Sequence, residues 1–168
     1  MKLQVVDNFF DNFNLIEKEF KKIKLYSLEE FNKNFKNNNN WPGFRSAPLY
    51  EDNPFLFNLF LKEFKIKFNW SLPIHIDFYM HLRLYENQKE DWVHKDSSDL
   101  GLIVYLNDNL DSGTNFYLDN QEKPDMSIKM VTNRCILFDS KINHKSSLNF
   151  GKDINDGRLT LNGFISLK

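Results

Sequence analysis

A mainly β chain of the α+β class, a jelly-roll or sandwich of antiparallel strands supported by amino-terminal helices, is what three observations predict. Apolar residues recur at helical spacing through the first third of the sequence. The period then shortens to runs of β-branched and aromatic residues punctuated by Asn, Asp and Gly. Seventeen Phe among 168 residues supply core material for one compact domain.

The elements follow in order. In 8–36, Phe9, Phe10, Phe13, Leu15, Ile16 and Phe20 repeat at the spacing of one helical face, and Leu28, Phe31 and Phe35 repeat it further on. Two amphipathic helices are expected. The run Asn37 to Asn40, followed by Trp41, Pro42 and Gly43, ends the second helix and opens a loop. Pro54 stands at a permitted first-turn position for a third helix, "PFLFNLFLKEFKIKF", whose large residues recur every three or four. Expected strands then cover 75–86, 92–95, 100–107, 114–118, 127–132, 134–138 and 157–166. The chain reads as a single domain over 1–168, with 1–70 as mostly helical support and a possible substrate-side loop, and 74–168 as the jelly-roll core.

Charge and cysteine content narrow the function classes. Lys and Arg number 22 against 23 Asp and Glu, and the positive charges are scattered rather than gathered into a stripe that could follow a phosphate backbone. No nucleic-acid partner is expected. The amino terminus is too polar for a secretory signal, and no stretch is apolar for the length of a bilayer. The single Cys135 allows no internal disulfide, sits in the apolar run "CILF", and reads as a core residue of a cytoplasmic protein.

The four His, at 75, 81, 94 and 144, carry the metal argument. In "WVHKDSSD", His94 and Asp96 stand two apart, so a strand persisting through them would put both on one face. His144 follows the apolar strand "RCILFDS" and could complete the set. Two imidazoles and one carboxylate on one face of an octahedron are the arrangement of non-haem Fe(II) oxygenases. In "DGRLTLNGFI", alternation places Arg158, Thr160 and Asn162 on one face and Leu159, Leu161 and Gly163 on the other. With the Leu face packed outward, Arg158 points inward and needs an anion, which a small dicarboxylate would provide. His75 and His81 read as hydrogen-bonded structural residues. Arg45, in "NNWPGFRSAP", reads as a solvated loop residue, with pairing to an anionic substrate as the alternative.

From Phe78 to the carboxyl terminus the sequence resembles the Fe(II)- and 2-oxoglutarate-dependent dioxygenases, in particular the prolyl-hydroxylase-like branch. The motifs that carry the resemblance are, in order, "RLYENQKEDWVHKD", "LIVYLND", "SGTNFY", "LFDSKINHKS" and "GRLTL". It departs at Asn87 and Gln88, where the family commonly has Gly, in the long segment between His144 and Arg158, and in the one Gly of "SGTNFY". The resemblance implies a double-stranded β-helix core, His94, Asp96 and His144 as both iron ligands and catalytic residues, and Arg158 as partner of the distal carboxylate of 2-oxoglutarate. It further implies Tyr105 on that same carboxylate, Tyr85 lining the pocket, and Thr160 as the small hydroxyl two residues beyond the Arg. With Fe(II), 2-oxoglutarate and dioxygen, the implied reaction hydroxylates an amino-acid, peptidyl or other small substrate and releases succinate and carbon dioxide. Two alternatives stay open. A cupin-like metal-dependent enzyme predicts metal binding without 2-oxoglutarate, and a non-catalytic jelly-roll binding module predicts no specific metal.

Overall fold

The computed structural model describes residues 3–36, 38, 40–71, 74–118 and 122–167. Two residues of the Asn run, Asn37 and Asn39, lie outside the described residues. In chain order the elements are β1 (Leu3–Val6), α1 (Phe13–Phe20), β2 (Leu25–Ser27), α2 (Leu28–Phe35), β3 (Phe44–Ser46), α3 (Leu49–Asp52), α4 (Pro54–Lys67) and β4 (Ile74–Arg83). After a 3-10 turn at Tyr85–Glu90 come β5 (Leu100–Tyr105), β6 (Asn109–Tyr117), β7 (Met126–Met130), β8 (Cys135–Asp139), β9 (Asn143–Ser146) and β10 (Arg158–Leu167). No helix among the described residues is long and apolar enough to cross a membrane.

The helices start where side chains satisfy their first N–H groups. Asn12 accepts from Leu15 N, and Asn53 accepts from Leu56 N ahead of Pro54. Ser27 and Glu30 form a reciprocal capping box on α2. Helix α1 begins at Phe13, later than the pattern suggests, because Asn8 takes a left-handed φ of 52° and turns the chain. Phe9 and Phe10 precede the helix and are pinned by Asn133, which bonds the Phe10 N–H and C=O through its side chain.

Two antiparallel sheets form the β core. The larger runs β1-β8-β5-β10-β4-β3-β2 and the smaller runs β7-β6-β9. Both faces of the larger sheet are covered, which is why every residue of β5 is buried. On the outer face, Phe78, Met80, Leu102, Val104, Leu159 and Leu161 pack with Phe60 and Phe64 of α4, and the Phe60 and Phe78 rings stack at 4.0 Å. On the inner face, Ile103, Tyr105, Ile136 and Phe138 meet Phe116 and Met130 of the smaller sheet. The Leu row of β10 therefore faces the helices, as the alternation predicts, and Cys135 is a fully buried core residue. Its thiol is pushed well above the ordinary range by that burial.

Several boundaries differ from the pattern. β4 ends at Arg83, because the 3-10 turn interrupts the alternation at Tyr85. The expected strand at 92–95 is a single bridge at His94, while β6 begins earlier, at Asn109, through a register shift before Gly113. At Gly113 an added Cβ would stand 2.0 Å from the Ile128 carbonyl oxygen, so this position of "SGTNFY" admits no side chain. β1, β2, β3 and β9 are too short, at three or four residues, to show a period.

Candidate metal centre and co-substrate pocket

His94 and His144 are directly opposite each other across an isolated antiparallel bridge. The N–H of His94 donates to the His144 carbonyl at 3.0 Å and the return bond is 2.8 Å. Opposed residues of such a pair project on one face, and the two imidazole centroids stand 4.6 Å apart. Asp96 is fixed two residues on by its N–H to the Ser140 carbonyl at 3.0 Å, and Lys141 Nζ donates to the Asp96 and Ser97 carbonyls. The carboxylate reaches both rings, with Oδ2 3.4 Å from His144 Nε2 and Oδ1 3.9 Å from His94 Nε2. One donor atom from each residue lies within 4.8 Å of the others.

The orientation of the rings decides what this cluster can do. His94 Nδ1 faces the Trp92 carbonyl and His144 Nδ1 faces the Ile142 carbonyl, both at 2.9 Å. A carbonyl only accepts, so Nδ1 of each ring carries a proton, and Nε2 is the nitrogen on the side of Asp96. Burial first, and then the neighbouring His144, hold His94 below its ordinary pKa, which favours the neutral ring a metal needs. Cis donors about 2.1 Å from a divalent metal stand about 3 Å apart, so small side-chain rotations would bring these three onto one ion.

A cavity of about 480 Å³ opens from this cluster between the sheets and is lined by Arg158, Thr114, His81, Tyr79, Arg45 and Trp41 among others. Arg158 is 4% exposed, donates to the Gly113 carbonyl at 3.2 Å, and its Nε has no partner. No described carboxylate lies within ion-pair distance of it. Burial lowers its pKa, with the charge and hydrogen bond of the Tyr105 phenol acting the other way, and the Tyr105 ring centroid lies 5.7 Å from the guanidinium carbon. The Tyr105 hydroxyl bonds Thr114 Oγ1 at 2.8 Å, and burial raises its pKa. The structure thus brings His94, Asp96, His144 and Arg158 to one cavity, while Tyr105 does not line it and reaches it only through the lining residue Thr114.

Two other expected residues stand differently. Thr160 is buried opposite Tyr105, but its hydroxyl donates to Asn162 Oδ1 at 2.7 Å and does not line the cavity. Tyr85 is 71% exposed, outside the cavity, because the 3-10 turn carries it off the face that β4 presents inward.

The inward face of β4 is the part that sequence reasoning missed. Period two places Asp77, Tyr79, His81 and Arg83 on one row, and all four line the cavity. Arg83 pairs with Asp91 at 2.8 Å, and Asp91 also accepts from Ser146 and from Asn149. Burial pushes the Asp91 carboxyl up, but Arg83 and these donors outweigh it and hold the pKa below the ordinary value. His81 is not the hydrogen-bonded structural residue expected, since its buried Nε2 has no partner. Arg45 is not a solvated loop residue, since β3 pairs with the edge of β4 and draws it inward. There it is half-buried and pushed down to about 10 by burial. His75 is exposed, with Nε2 3.7 Å from Asp77.

No protein-family model matches the sequence, and no curated protein is significantly similar to it. Solved structures do match. HygX from Streptomyces hygroscopicus, with nickel, 2-oxoglutarate and hygromycin B bound, superposes with a TM-score of 0.64 at 11% identity, over 99% of this chain and 83% of that one. The non-haem α-ketoglutarate-dependent epimerase SnoN from nogalamycin biosynthesis gives 0.62 at 11%, over 98% and 77%. A Pseudomonas putida prolyl-4-hydroxylase gives 0.57 at 14%, over 99% and 92%. At these identities the likeness is one of architecture, and the chain has the double-stranded β-helix fold of the 2-oxoglutarate- and Fe(II)-dependent oxygenases.

Proposed function

We propose that the protein is a non-haem Fe(II)- and 2-oxoglutarate-dependent oxygenase that hydroxylates a small molecule. The observation that carries this reading is a conjunction within one cavity. Two imidazoles with Nδ1 turned to backbone carbonyls and a carboxylate converge at one end, and a buried guanidinium without a carboxylate partner lines the same cavity. The resemblance of the five ordered motifs and the shared architecture support the same assignment.

In this reading His94, Asp96 and His144 would hold the iron. Arg158, with the Tyr105 hydroxyl and Thr114 beside it, holds the far carboxylate of 2-oxoglutarate. Phe116 and Phe138 pack edge to face, and Phe138 meets the His144 ring at 4.7 Å, so the centre is walled from water on the side of the smaller sheet. Iron and 2-oxoglutarate, when bound, supply the oxidising chemistry: one oxygen atom goes into succinate, carbon dioxide leaves, and the other atom enters a substrate C–H bond. The chain's part is to fix these groups and exclude competing water. HygX binds hygromycin B and SnoN binds nogalamycin RO, and a cavity of about 480 Å³ suits a small-molecule substrate here as well.

The test is anaerobic titration of 2-oxoglutarate into Fe(II)-loaded protein, followed by visible absorption. A metal-to-ligand charge-transfer band in the wild type, abolished in Asp96→Ala and much weaker in Arg158→Ala, is the expected result. Fe(II) binding without any band would remove 2-oxoglutarate from the assignment and leave a metal enzyme of the same fold.

A further inference from the structure

Three arginines line the cavity, and two have a counter-charge accounted for. Arg83 is paired with Asp91, and Arg158 is matched above to 2-oxoglutarate. Arg45 is left over. No described carboxylate lies within ion-pair distance of it, and its Nε has no hydrogen-bond partner. Its guanidinium is instead held by rings, 4.6 Å from the Trp41 centroid, 5.0 Å from Tyr79 and 5.9 Å from Phe164. Aromatic faces stabilise an arginine without neutralising it and leave its N–H edge free for a planar acceptor. His81 pairs with Arg45 in strand register, stacks on Trp41 and also has an unpartnered, buried Nε2.

We propose that Arg45 and His81, within the Trp41, Tyr79 and Phe164 wall, form the prime-substrate subsite and select a small molecule carrying a carboxylate. The inference rests on the oxygenase reading of the same cavity. Arg45 receives the carboxylate through its fork, and His81 supplies a further hydrogen bond. Burial, reinforced by Arg45, Arg83 and Arg158, keeps His81 well below its ordinary pKa, so it adds no second charge. One positive charge balances a carboxylate, whereas a phosphate monoester carries about −1.5 to −2 and would remain partly uncompensated. Arg45 also feels the charge of Asp96, which places the anion subsite and the metal ligands in electrostatic reach of each other.

The experiment uses three free acids, propionate, benzoate and indoleacetate, each beside its primary amide, together with inorganic phosphate. Each probe is titrated into wild type, Arg45→Met and Arg45→Lys. One series follows the visible band of the anaerobic Fe(II)–2-oxoglutarate complex, and a second uses calorimetry on metal-free protein. The acids are expected to perturb the band and to bind roughly tenfold or more tighter than their amides. Arg45→Met should erase that preference and Arg45→Lys restore part of it. Equal responses to acid and amide in the wild type overturn the proposal without reliance on any variant. So does an acid preference that survives in Arg45→Met, and phosphate binding tighter than every acid overturns the choice of carboxylate. If the band never forms but metal-free protein prefers acids through Arg45, the anion subsite stands and the oxygenase reading falls. No band and no acid preference would remove both.

Discussion

Replacing Arg158 by Met should move stability and ligand affinity in opposite directions, because the guanidinium is buried without a carboxylate partner among the described residues. It donates to the Gly113 carbonyl at 3.2 Å and is 4% exposed. Losing that charge-assisted bond costs about 1.5–3 kcal/mol. Removing an uncompensated buried charge relieves a desolvation penalty of several kcal/mol, and an unbranched Met fills much of the space of the Arg stem. The net expectation for the metal-free variant is unchanged stability or a gain of about 1–2 kcal/mol. On the proposed function the same change would remove a charge-assisted contact to 2-oxoglutarate, so Kd should rise about 10- to 150-fold. Denaturant unfolding of metal-free protein in a buffer of low anion content gives the first number, and titration of the charge-transfer band gives the second. A loss of 3 kcal/mol or more of stability (roughly the cost of breaking a satisfied buried pair) with 2-oxoglutarate affinity unchanged would refute the reasoning and make Arg158 a structural residue.

Other perturbations separate the scaffold from the site. Asp91→Asn leaves Arg83 without its partner in a place where the Asp91 side chain is 1% exposed, and should destabilise by about 3–5 kcal/mol in denaturant unfolding at neutral pH. Because the folded Asp91 pKa is lowered, its contribution is complete above the ordinary carboxylate value of 3.8 and disappears as pH falls through the folded value. The stability gap between wild type and Asp91→Asn should therefore narrow on acidification below that value, and a gap that widens contradicts the pairing. Gly113→Ala sets a Cβ against the Ile128 carbonyl and should lose about 1–3 kcal/mol and weaken 2-oxoglutarate binding, since the same glycine's carbonyl holds Arg158. Phe60→Ala, from the helix face of the sheet, should cost about 3–5 kcal/mol yet leave the charge-transfer band of the folded protein intact.

What the sequence made legible depended on how long a pattern ran. β10 keeps its alternation for ten residues, so the inward Arg158 and the outward Leu159 and Leu161 could be read directly. The His94-x-Asp96 spacing was legible too, but for a different reason than strand persistence. Only a single bridge forms there, and the two side chains converge because His94 pairs with His144 while Asp96 is tied to Ser140. β9, which carries His144, is four residues long and could not be recognised as a strand. Tyr85 and Arg45 failed in opposite senses. A 3-10 turn expels Tyr85 from an apparent strand, and the free edge of β4 recruits Arg45 from an apparent loop. Both are tertiary outcomes that local propensity does not contain.

The inner face of the larger sheet cannot be explained by stability alone. Its outer face is apolar and packs against α4, while the inner row of β4 carries Asp77, Tyr79, His81 and Arg83, facing the same cavity as Arg158 of β10. Trp41 Nε1, Arg45 Nε, His81 Nε2 and Arg158 Nε are buried there without protein partners. Each such group costs about 1–3 kcal/mol, and more where it is charged, so an apolar row at these positions would make a more stable sandwich. A fold keeps unsatisfied groups clustered around one cavity when something that enters it completes them. The distribution of those groups also says what enters. Nitrogen donors and positive charge predominate among them, and so the missing partners are anions. On the proposed function 2-oxoglutarate would answer Arg158, and the second guanidinium, at Arg45, would make the identity of the substrate a question of acids.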